Sequence, residues 1–154
     1  MAAQPDGLDD LYQEIILDHH RKPRNHGRLE RPDLEAKGFN PFCGDQVVLT
    51  AALDSHGHIH AVGIGGEGCA ISQASASMMS ELLKGKTLAE AGSLAELFKG
   101  VMQGRALTQG QQEALGEMMA LQGVKQFPVR IKCALLAWST VEDAIAEYQK
   151  QSPS

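Results

Sequence analysis

Cys43, Cys69 and Cys133 are the three cysteines of this 154-residue chain, and Asp45 follows the first by two positions in Pro41-Phe42-Cys43-Gly44-Asp45. Three thiolates and one carboxylate fill a tetrahedral metal site, and a member of such a set that can leave the metal is also a sulfur nucleophile. No Cys-x-x-Cys pair is present, so on spacing alone packing cysteines and metal ligands are equal readings. The flanking residues separate them. Cys43 lies between Pro41 and Gly44, Cys69 follows a stretch holding Gly63, Gly65, Gly66 and Gly68, and Cys133 has Arg130 and Lys132 close by in sequence. Glycine admits close backbone approach, while helix N-termini and cations stabilise thiolate over thiol. These flanks point to reactive or metal-bound sulfur rather than filler.

The elements that must position these residues follow from periodicity. Leu8, Leu11, Tyr12, Ile15 and Ile16 recur at helical spacing up to His20, with Asp9 and Asp10 in the first turn and Pro23 beyond the end. Arg21 to Arg31 is a basic loop broken by Pro23, Asn25 and Gly27. Val47, Leu49, Ala51 and Leu53 alternate as a strand, Asp54 to Gly57 supplies a turn, and Ile59 to Ile64 is a second strand, giving an antiparallel hairpin. Ile71, Ser75, Met78, Met79, Leu82 and Leu83 restore a helical period closed by Gly85, which puts Cys69 at a helix start. Lys86 to Gln126 predicts two or more short helices interrupted by Gly100, Gly104, Gly110 and Gly116. Pro128 suits a first helical turn, Cys133 falls a turn later, and Val141, Ile145 and Tyr148 mark the last helix. The expected architecture is a single α+β domain over 1–154, ordered from about 8 to 148, with helices packed on one face of a small antiparallel sheet. All three cysteines then lie near element boundaries at one end of it.

Composition excludes several classes. Fourteen Lys and Arg against 19 Asp and Glu leave a net charge of −5, which opposes general nucleic-acid binding, and no apolar run reaches membrane-spanning length. The odd cysteine count and an acidic start without a secretory apolar region fit a reducing cytosol. His56, His58 and His60 alternate on one side of a hairpin tip, where exposure explains them without a metal. His19 and His20 suit the C-terminal end of the first helix dipole and are given no chemistry.

Taken together, Leu11 to His20, Pro23-Arg24-Asn25, Asn40 to Asp45, Gly66-Glu67-Gly68-Cys69-Ala70-Ile71-Ser72 and Phe127 to Ala134 carry a resemblance. The chain resembles the SufU branch of the IscU/NifU-N family of iron–sulfur assembly proteins, from about Leu8 to Tyr148. The resemblance implies the IscU-like α+β fold, with Cys43, Asp45, Cys69 and Cys133 converging as a metal or cluster site. Scaffolds of the family carry His before the third cysteine, where this chain has Lys132. They also carry Leu-Pro-Pro-Val-Lys where it has Gln126-Phe127-Pro128-Val129-Arg130. Extra helical material from Gly100 to Leu121 likewise resembles the SufU branch.

The implied function is zinc-dependent, sulfurtransferase-like chemistry. In that reading persulfide sulfur would pass from a cysteine desulfurase of the SufS type to Cys43 and on to the iron–sulfur assembly machinery; from the residues themselves, Arg130 is a better candidate than Lys132 for an assisting cation, and the basic loop is either a docking surface for the desulfurase or plain solvated charge. The alternatives are a scaffold that builds a labile iron–sulfur cluster on the same ligands, and a module whose zinc only holds the fold.

Overall fold

The computed structural model describes residues 7–41 and 44–151, with 7–11 described by backbone only. Helix α1 spans Gly7–Arg21, and three strands follow: β1 Leu34–Asn40, β2 Asp45–Leu53 and β3 Ile59–Glu67. Helices α2 Ala70–Leu83, α3 Leu88–Met102 and α4 Gln109–Leu115 come next, then a 3-10 segment, Gly116–Gln126, and the long α5, Pro128–Gln151. The strands form an antiparallel meander in the order β1-β2-β3. Helices α2 and α5 cover one face of it, which is the layered arrangement expected.

Strand β1 was not legible in the alternation, because Gly38 and Asn40 interrupt its apolar positions. In the structure Leu34, Ala36, Gly38 and Asn40 turn to one side while Glu35, Lys37 and Phe39 are exposed on the other. The inner side of β1 meets α5. A Cβ on Gly38 would stand 2.0 Å from Thr140 Oγ1 and 3.1 Å from Leu136 Cδ1, so a bare backbone is what lets helix and strand approach this closely. Asn40 meets Cys133 farther along. Rising numbers on the strand therefore meet falling numbers on the helix, and α5 runs antiparallel to β1.

Helix α2 is rich in small residues for a related reason. Ser72, Ala74, Ser75, Ala76, Ser77 and Ser80 are all buried, and their size lets α1 and α5 pack closely against it. Each buried hydroxyl needs a partner. The Ser75 hydroxyl donates to the Ala134 carbonyl at 2.7 Å, and the Ser80 hydroxyl to the Ser77 carbonyl at 2.7 Å. Behind these helices the core is filled by Met78, Met79, Phe98, Met118, Leu121 and Trp138. The Phe98 and Trp138 rings lie 6.4 Å apart, centroid to centroid.

Three expectations change. Gly100 does not interrupt a helix: α3 is 15 residues long and runs through both Gly92 and Gly100, because its Thr87–Glu90 capping box and its buried Leu94, Phe98 and Val101 outweigh the cost of glycine. Only His60 lies in a strand, since His56 and His58 belong to the turn, where both of their N–H groups donate to Asp54 Oδ1. His19 does stand in the last turn of α1, but at 1% exposure it is buried. Its Nδ1 lies 2.7 Å from Ser77 Oγ and its Nε2 2.7 Å from Glu117 Oε1, which ties α1 to α2 and to the 3-10 segment.

The basic loop is partly neutralised within the chain, by Arg24 on Asp18 and Arg28 on Glu35. It runs along the free edge of β3, where the Gly27 N–H donates to the Ile64 carbonyl and the Ile64 N–H to the Asn25 carbonyl, both at 2.8 Å. The edge is thereby closed to a foreign strand at this point. No described helix is long and apolar enough to cross a membrane.

The contact at Gly38 yields a stability test. Gly38→Ala should cost about 1–3 kcal/mol by overpacking, read by chemical denaturation through Trp138 fluorescence. Adding Thr140→Ala, which removes the obstructing oxygen, should recover most of that loss. If the double variant is as unstable as the sum of the singles, α5 and β1 do not meet here.

Candidate metal centre

Three separate stretches of chain reach the same end of the sheet. Asp45 opens β2 and is the register partner of Asn40, the last residue of β1, and the Gly44 N–H closes the connection by donating to the Asn40 carbonyl at 2.8 Å. Cys69 is the N-cap of α2, two residues past the end of β3. Cys133 lies inside α5, past its first turn rather than at its boundary, and is fully buried. The carboxylate of Asp45 and the sulfurs of Cys69 and Cys133 all lie within 4.8 Å of one another. Cys43 lies outside the described residues, two peptide units from Asp45 in the connection between Asn40 and Asp45.

The local bonds explain the placement. The Cys69 N–H donates to Asp45 Oδ1 at 2.9 Å, so the first turn of α2, with its unpaired N–H groups, is oriented by a carboxylate. Asp45 Oδ2 lies 3.8 Å from Cys69 Sγ. Gly68 is obligatory beside this contact, because a Cβ there would come within 2.6 Å of both Asp45 Oδ1 and Ser72 Oγ. Close backbone approach was the role expected of the glycines before Cys69, and Gly68 performs it. Ser72 lies one helical turn after Cys69: its hydroxyl donates to the Cys69 carbonyl at 3.1 Å and lies 3.8 Å from Cys69 Sγ. On the other side, the amide of Asn40 donates to Cys133 Sγ at 3.8 Å.

This donor set fits a divalent metal on electrostatic grounds. Asp45 is 0% exposed, and among the described residues no Lys, Arg or His forms an ion pair with it. A buried carboxylate without a counter-charge is costly. With Asp45 and Cys69 both ionised, two anions would also face each other at 3.8 Å, and a cation between them removes both penalties. The 3.8 Å between Asp45 Oδ2 and Cys69 Sγ is close to the roughly 3.3–3.8 Å that separates ligands about 2.0–2.3 Å from a tetrahedral zinc.

Among the residues singled out in the sequence, Asp45, Cys69 and Cys133 come together. Arg130 and Lys132 are exposed in the first two turns of α5. Arg130 lines a broad surface groove with Tyr12, Ile16, Ala70, Ile71 and Phe127, next to the Cys69 end of α2. His56 and His58, in the β2–β3 turn, and His60, at the start of β3, are not among the metal-ligating group. Asn40 and Ser72 were missed. Their only sequence signal is proximity, three positions from Cys43 and from Cys69, and nothing local tells a sulfur contact from a turn residue or a helix serine.

Comparison with known proteins agrees with this geometry. Residues 11–134 match the family model of the NifU-like N terminal domain. The chain is 43% identical over 140 residues to the zinc-dependent sulfurtransferase SufU of Bacillus subtilis, covering 91% of this chain and 92% of that protein. It is 41% identical over 139 residues to the iron–sulfur cluster assembly scaffold protein IscU of Streptococcus pyogenes, covering 90% and 84% respectively. A crystal structure of the SufU protein of Fervidobacterium islandicum, described as an iron–sulfur cluster assembly scaffold for the SUF system, superposes with a TM-score of 0.81 at 35% identity, covering 92% of this chain and 99% of that one. Fold, site and sequence place this chain in the NifU-like N-terminal domain family, alongside the SufU and IscU proteins of iron–sulfur cluster assembly.

Proposed function

We propose that this protein accepts persulfide sulfur from a cysteine desulfurase on Cys43 and passes it on for iron–sulfur cluster assembly, with zinc held by Cys43, Asp45, Cys69 and Cys133. The observation that carries the reading is the convergence of a buried, cation-less carboxylate with two thiols, beside the connection that contains Cys43. The 43% identity to a zinc-dependent sulfurtransferase supports zinc as the metal. Lys132, at the position where scaffolds of the family carry histidine, supports transfer over cluster building.

Zinc, when bound, would keep the cysteines as thiolates and protect them from oxidation. The transfer itself is thiol–disulfide exchange. The Cys43 thiolate attacks the outer sulfur of the desulfurase persulfide and forms a new S–S bond. The older S–S bond breaks, and its electron pair leaves on the desulfurase cysteine as thiolate. Oxidation state is conserved overall, so no external oxidant or reductant enters. Asn40 and Asp45, on either side of the connection, are held by strand pairing. Arg130 and Lys125, which both line the groove next to Ala70 and Ile71, are cations available to a partner there.

A second reading, in which a labile cluster is assembled on the same residues, draws on the 41% identity to an IscU scaffold. Protein purified without oxygen distinguishes the two by metal content: zinc without sulfide for the acceptor, iron with sulfide for the scaffold. Two further outcomes are expected. With 35S-labelled persulfide on the desulfurase, wild type should become labelled, and Cys43→Ser should lose at least nine-tenths of the label (roughly a tenfold effect, about 1.4 kcal/mol) while keeping the circular dichroism of the folded chain. Full labelling of Cys43→Ser would remove Cys43 as acceptor, and zinc-loaded wild type that takes no sulfur would leave only a structural module. Removing zinc with a chelator should lower the melting temperature, because a metal present at a hundredfold over its Kd stabilises the native state by about 2.7 kcal/mol. Cys69→Ser and Cys133→Ser should show much smaller shifts on chelation.

A further inference from the structure

We infer that Asn40 is a positioning residue for the Cys133 sulfur, and that this contact ties Cys133 to the strand end that also carries Asp45. The inference rests on the reading of Asp45, Cys69 and Cys133 as metal ligands. The two described sulfurs sit in opposite surroundings. Cys69 Sγ faces two oxygens, Asp45 Oδ2 and Ser72 Oγ, each at 3.8 Å, and the hydroxyl proton of Ser72 is already directed to the Cys69 carbonyl. Cys133 Sγ instead receives an amide N–H from Asn40, at 3.8 Å and at 5% exposure of the asparagine.

A thiolate accepts such a bond more strongly than a thiol does. A donor of this kind lowers the energy of the sulfur lone pair and fixes the direction in which it points, and losing comparable partners weakens metal binding by about 10–100-fold. Asn40 and Asp45 are register partners across the end of β1 and β2, and they reach different sulfurs, Cys133 and Cys69. One strand pair thus holds the positions of both helix-borne ligands, while the connection carrying Cys43 runs between its two ends.

The test uses the whole chain with Zn2+ and, separately, Co2+. Asn40→Leu keeps the branched outline and removes the donor, and Asn40→Asp keeps the shape and removes both N–H groups. Asn40→Gln keeps an amide. By chelator competition the Leu and Asp variants should bind Zn2+ about 10–100-fold more weakly than wild type, and the Gln variant should recover most of the affinity. The sulfur-to-cobalt charge-transfer band should move to lower energy in the Leu and Asp variants, which loss of packing alone would not produce. Zn2+ affinity within threefold of wild type in both donor-less variants overturns the inference, as does equal weakening in all three with no movement of the band. If wild type itself fails to bind Zn2+ or Co2+, the metal-site reading falls first and independently.

Discussion

The carboxylate of Asp45 organises the functional end of this molecule through a single bond, which it accepts from the Cys69 N–H at 2.9 Å in a place closed to solvent. That bond joins the first residue of β2 to the first turn of α2, and it determines where both can sit. It also forces glycine at position 68, since any side chain there would collide with the carboxylate or with Ser72. A buried carboxylate without an ion-pair partner among the described residues raises the free energy of the metal-free chain. The same arrangement favours a cation, so stability given up at this spot becomes affinity for a metal.

The rest of the fold keeps the third ligand in reach. Cys133 is carried by α5, whose path is set along β1 by the bare backbone of Gly38 and against α2 by a row of small buried residues. Neither surface would allow so close an approach with larger side chains. His19 adds a polar tie, through Ser77 and Glu117, between α1, α2 and the segment before α5. The helices are therefore braced against one another behind the site, and the connection between β1 and β2 is the short piece of chain that can bring a further ligand to it.

Under the proposed function, this arrangement would serve sulfur transfer. A metal centre whose ligands were all held by helices would protect its thiolates and release none of them. Here two sulfurs come from helix-borne cysteines in opposite hydrogen-bonding surroundings, and the carboxylate is a harder ligand than a fourth sulfur would be. The fold does not separate acceptor from scaffold, since relatives of both names are similar to this chain.

Part of the candidate site was legible in the sequence because it depends on residue type: Asp45, Cys69 and Cys133 come together, with Gly68 where backbones must approach, while Cys43 lies outside the described residues. The hairpin of β2 and β3, the start of α2 at Cys69 and the start of α5 at Pro128 were legible too, since alternation, capping and proline at a first turn are local effects. Strand β1 was not, because its inner face is made of Gly38 and Asn40, whose fitness for a strand comes from the helix they touch. Helix α3 ran through its glycines because burial outweighed propensity. His19 resembled a surface charge until α2 and Glu117 closed over it. Which atoms face which sulfur was decided by tertiary structure alone, for Asn40 meets Cys133 only once α5 lies antiparallel on β1, and hydrogen bonds between residues so far apart in sequence leave no periodic trace in it.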